Sequence, residues 1–108
     1  MTTTRQEPES TPGVNAQTGK TYTILHGDRE KLVTFSNSDP VAVTIPEATG
    51  PFGSGWRCQV QNKGVGTVTI TPTAGTIDDA ANLSLVTGRG VWIFSDGANW
   101  QVEGDLNP

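Results

Sequence analysis

Short runs in which apolar and polar residues alternate recur along the chain, separated by clusters of turn-forming residues. The best-organised stretch is Trp56 to Pro72. Trp56, Cys58 and Val60 alternate with Arg57, Gln59 and Gln61, which puts the apolar trio on one face of a strand. Asn62-Lys63-Gly64-Val65-Gly66 supplies turn residues, with two glycines that can take positive φ cheaply. Val68 and Ile70 then point one way and the threonines beside them the other, until Pro72 ends the ladder. This pattern predicts a hairpin with one apolar face, which needs a second sheet or a second chain to cover it.

The same reading extends both ways. Thr21 to Leu25 predicts a strand with Tyr22 and Ile24 on one face, and His26-Gly27-Asp28 a turn. Lys31 to Phe35 sets Val33 and Phe35 against Leu32, and Val41 to Ile45 alternates until Pro46. Glu47 to Gly55 is a glycine-rich loop in which Phe52 is expected to be an anchor. Leu83 to Val86 is a further strand, and Thr87-Gly88-Arg89-Gly90 a turn. Val91-Trp92-Ile93-Phe94 is wholly apolar, as expected of a strand covered on both faces. Asp96-Gly97 marks a hairpin turn before Trp100 to Val102. The expectation is an all-β fold: a compact antiparallel sandwich or barrel of about eight short strands over residues 21–108. Val41 to Gly50 and Gly66 to Gly75 echo each other (Val-Thr-Ile, Pro, Gly), which two similar strand endings explain without a repeat.

Residues 1–20 lack this pattern. Thr, Pro, Glu and Ser dominate, and Pro8 and Pro12 oppose a helix. Such a segment is either a disordered tail or an extended N-terminal arm that orders against a partner, and the arm is the expectation adopted. Its composition predicts that removing it leaves the domain folded.

Composition narrows the partners. A net charge of −4 over 108 residues speaks against nucleic acid. No apolar run is long enough for a membrane span, and no hydrophobic leader precedes the first strand, so neither a membrane association nor a signal peptide is expected. Only 33% of residues are hydrophobic, which suggests that partner subunits supply some burial. Threonine is the commonest residue and suits strands.

Candidate chemistry is sparse. The single cysteine, Cys58, sits at an inward strand position and reads as a buried thiol. His26 reads as a solvated loop residue without metal partners. Asp78-Asp79 is an adjacent acid pair, but a calcium loop needs more oxygen ligands at fixed spacing. Gly64-Val65-Gly66 and Gly88-Arg89-Gly90 lack the helix that a phosphate loop requires. Trp56, Trp92 and Trp100 would suit a sugar-binding platform, yet all fall at strand positions, which favours core or subunit-interface roles. The expectation is a structural or binding module rather than an enzyme, with no catalytic residues, metal or cofactor.

An ordered set of short motifs adds a resemblance. Lys31-Leu32-Val33, Val43-Thr44-Ile45-Pro46, Pro51-Phe52-Gly53-Ser54-Gly55-Trp56 and Asn62 through Ile70 are followed by Gly75-Thr76-Ile77, Leu83, Leu85, Ser95 through Trp100 and Gly104-Asp105-Leu106. Together, over about Tyr22 to Leu106, they resemble a small β module of tailed-bacteriophage virion proteins. The resemblance implies a virion-surface location, a homotrimer and no catalytic residues. With a short arm and no shaft, it points to a capsid decoration (cement) protein bound to the major capsid protein. The alternative is a tail-fibre or receptor-binding tip contacting host glycan.

Overall fold

A computed structural model describes residues 13–105. Its nine strands are β1 (Val14–Gln17), β2 (Thr21–Thr23), β3 (Leu32–Phe35), β4 (Val41–Ile45), β5 (Arg57–Asn62), β6 (Val68–Pro72), β7 (Leu83–Leu85), β8 (Gly90–Ser95) and β9 (Trp100–Asp105). Short 3₁₀ turns at His26–Asp28 and Gly50–Phe52 interrupt them. The all-β expectation holds, and Phe52 is indeed a buried anchor.

The antiparallel expectation is corrected. The first six strands alternate between two sheets and pair in parallel within each. Sheet A runs β1-β3-β5-β8-β9 and sheet B runs β2-β4-β6-β7. The chain therefore winds as a stack of two-strand coils: β1 with β2, β3 with β4, β5 with β6. Only β7, β8 and β9 pair antiparallel and close the stack. The Trp56–Pro72 hairpin is corrected with it, because β5 and β6 belong to opposite sheets and face each other across the core. Their apolar faces are thus covered by the chain's own second sheet.

Inward residues of both sheets form one core, including Val33, Phe35, Val43, Ile45, Cys58, Val60, Val68, Ile70, Ile93 and Trp100. Ile77, read from sequence as part of a turn, is fully buried and bridges to Trp100. On the outside of sheet B the alternation leaves Thr21, Thr23, Thr44, Thr69, Thr71 and Ser84, which accounts for much of the threonine content.

The second and third coils repeat with one spacing. Leu32 pairs with Gln59 and Val41 with Val68, each 27 residues apart. The Val-Thr-Ile echo does not coincide with this repeat: Val68 pairs with Val41 rather than with Val43, so the echoed segments stand two residues out of register, as two similar strand endings would. A shift of two residues keeps every side chain on its face, which is why alternation alone does not locate the register.

The turns stack as the strands do, and this explains Gly64 and Gly66. Neither has a positive φ. A Cβ at Gly64 would lie 2.3 Å from the Asn37 nitrogen, and one at Gly66 would lie 2.0 Å from the Asp39 oxygen. Close approach of one turn to the next, rather than a left-handed conformation, demands glycine there. Asn62 ties the stack together. Buried at the end of β5, its amide donates to the carbonyls of Gly66 and Leu85, both at 2.9 Å, and its oxygen accepts from the Gly64 N–H at 2.9 Å.

The β8–β9 hairpin forms as expected. Asp96 accepts from the backbone N–H groups of Asn99 and Ala98 and from the Gln101 amide. Those bonds, the Asn99 one foremost, hold its carboxyl below the usual range.

Val14–Gln17 corrects the domain boundary. This segment, assigned from sequence to the arm, is the edge strand of sheet A, paired in parallel with β3. Its Asn15 side chain enters a buried polar network. Residues 1–12 of the expected arm lie outside the described residues, as does Leu106.

Candidate functional site

The chemistry-bearing residues separate into a sealed interior group and an open surface on sheet A. The interior group centres on Asp28, which is 3% exposed. Asn15 donates to its Oδ1 at 2.9 Å, while the Tyr22 hydroxyl and the Leu25 N–H donate to Oδ2 at 2.7 and 2.9 Å. Asn15 also donates to the Tyr22 oxygen at 2.8 Å and accepts from Gln17. Three hydrogen bonds thus hold the buried carboxylate within the fold, as burial of a charge requires. Burial first, then the bond to Asp28, pushes the Tyr22 phenol up to about 12. Burial, with the nearby Asp28 charge, also pushes the Cys58 thiol up. Cys58 is fully buried, as expected, and at ordinary pH it is a thiol rather than a nucleophilic thiolate. Sequence reasoning missed Asp28, because Asp in a His-Gly-Asp turn carries no sign of burial.

The other residues considered from sequence lie apart. His26 is half-buried with its ring edge-on to Phe52 at 5.6 Å, so it belongs to an aromatic cluster rather than to open solvent. Trp56 and Trp100 complete that cluster, with indole N–H groups donating to the carbonyls of His26 and Pro46. Asp78 and Asp79 are exposed, both at positive φ, in the turn before β7. Among the described residues no group of three His, Cys, Asp or Glu converges.

Trp92 differs from the other two tryptophans. The expectation that β8 is covered on both faces is corrected: Val91 and Ile93 are buried, whereas Trp92 and Phe94 stand half-exposed on the outside of sheet A. The strand registers align Val14, Leu32, Gln59, Trp92 and Glu103 in one row across the five strands. Arg57, Phe94 and Gln101 form the row on one side, and Ala16, Thr34, Gln61 and Gly90 the row on the other. Phe94 stacks on Trp92 at 6.0 Å, and the Arg57 guanidinium lies 4.9 Å from the indole centroid. Arg57 is held by Glu30 at 3.1 Å. On the Gly90 side the row lacks a side chain, and a groove of about 350 Å³ opens. Leu32, Gln59, Gln61, Trp92, Glu103 and the glycines 88, 90 and 104 line it.

At the far side of the same sheet, β1 presents an edge that no other described strand pairs, and the exposed Val14. Among the described residues sheet A therefore offers two features for contact: the edge of β1 next to residues 1–12, and an aromatic groove whose Trp92 lies three strands away on β8. Comparison with protein-family models and with curated proteins finds no match to this chain.

Proposed function

We propose that this chain is a non-enzymatic structural protein of a bacteriophage virion, a trimeric capsid decoration protein on the particle surface that stabilises the head by binding the major capsid protein. The motif resemblance over about Tyr22 to Leu106 supplies the setting. The observation that carries the attachment is the edge of β1, which no other described strand pairs and which lies just after residues 1–12 in the chain. An unpaired strand edge is a template for added strand pairing, and an extended arm leading into it lengthens the contact. A decoration protein is present at hundreds of copies per particle. Quantitative mass spectrometry against the major capsid protein tests this, and a handful of copies overturns it.

A second reading, a tail-fibre or receptor-binding tip, is favoured by one observation: the half-exposed Trp92 beside the groove. The low copy number that overturns the first reading is the outcome expected of the second.

A further inference from the structure

We propose that the groove beside Trp92 is a binding subsite for a neutral saccharide, with one pyranose ring stacked on the free side of the indole. This deepens the receptor-contact reading and does not depend on the attachment through β1.

The groove has a distinct composition. Its wall is an aromatic ring whose neighbours, Arg57 and Phe94, lie in the row away from the opening. Its floor is backbone, because the adjacent positions are Gly90 and Gly104. The floor tolerates no side chain at Gly104, where a Cβ would meet the Gly90 oxygen at 2.8 Å and φ is +142°. Around the floor stand Gln59, Gln61 and Glu103. Among the described residues, neither these three side chains nor the Trp92 N–H makes a hydrogen bond within the protein. By contrast, the indole N–H groups of Trp56 and Trp100 are both engaged. Gln59 and Gln61 are half-buried, so their amides are already partly desolvated without a partner.

This is the inverse of a pyranose. A sugar ring offers an apolar C–H face to stack on an aromatic plane and a rim of hydroxyls that both donate and accept. Trp92 supplies the plane, Glu103 accepts, and the glutamines do both. A volume of about 350 Å³ lies at the small end of ligand sites and suits a monosaccharide or disaccharide. Charge selects against acidic sugars and phosphates. Glu103 lines the groove, the cation nearest the indole is held by Glu30 in the other row, and the chain carries net charge −4.

The test uses the full chain labelled with ¹⁵N. Its three tryptophans supply three indole N–H resonances, two of them internal controls. Glucose, galactose, N-acetylglucosamine and their β-linked disaccharides are titrated to tens of millimolar, with sialyllactose as the acidic comparison. The expected result is a saturable shift of the Trp92 indole and of the Gln59 and Gln61 side-chain amides for at least one neutral sugar, with Trp56 and Trp100 unmoved. Trp92→Ala should weaken binding about tenfold or more, and Glu103→Gln should weaken it less. Because Trp92 is outside the core, the variant's folding is checked by the two remaining indole resonances. Absence of a Trp92 shift with every neutral sugar overturns the proposal, as does tighter binding of sialyllactose. A Trp92 shift that follows protein concentration without sugar also overturns it, and assigns the face to contact between copies. None of these outcomes alters the copy-number test of attachment.

Discussion

At the residue scale the interior is governed by a few polar side chains. Tyr22 is the only tyrosine, and its phenol is raised to about 12 by burial and by its bond to Asp28. The unfolded chain loses that proton near the ordinary value of about 10. Stability is therefore intact below pH 10, falls as pH rises from there, and stops falling on this account near pH 12. Tyrosinate absorbance reads the group directly, and a folded-state midpoint near 10 would contradict the buried network. Tyr22→Phe removes that titration and should cost about 2 kcal/mol, because Asp28 loses a donor. Asn62→Ala should cost about 2–4 kcal/mol in denaturant unfolding, since two carbonyls and one N–H lose their partner at a buried site. Both residues looked ordinary in the sequence: Tyr22 as one more apolar strand position, Asn62 as a turn former. Their partners lie on other elements, so nothing local marks them.

At the scale of elements, alternation found eight of the nine described strands and, β8 apart, their inward faces. It did not find their partners. Parallel and antiparallel pairing impose the same period of two, so Trp56–Pro72 looks the same as a hairpin or as a crossing between sheets. The glycines between β5 and β6 favoured the hairpin, yet they are there for the turn beneath them. β1 escaped because its inward residues are Asn15 and Gln17, polar side chains that serve the Asp28 network instead of the apolar core. The candidate site was legible only in part. Trp92 was visible as a strand tryptophan, but the row that aligns it with Gln59 and Glu103 exists only in the register. The corrected boundary changes what truncation should do. Removing residues 1–12 should leave the thermal midpoint of the domain unchanged. Removing residues 1–20 deletes β1 and the Asn15 bonds to Asp28 and Tyr22, and should lower the midpoint by several degrees. Equal midpoints would mean that β1 contributes nothing to the fold.

At the scale of the molecule, the two sheets cover each other's apolar faces within one chain, so the low hydrophobic content does not require partner subunits. The homotrimer then rests on the resemblance alone, and light scattering of the free protein decides it. A mass of three chains at micromolar concentration is expected, and a stable monomer would remove the trimer from the proposal. The constant 27-residue spacing between the second and third coils reaches further than stability. Layers that superpose by one such step, as the second and third coils do and the first does not, allow the stack to change its height without redesigning either end. Duplicating a single 27-residue segment would insert one more layer in each sheet and raise the molecule by about 4.8 Å, leaving the β1 edge and the Trp92 surface as they are. Gene duplication could thus adjust how far one surface stands from the other, one layer at a time.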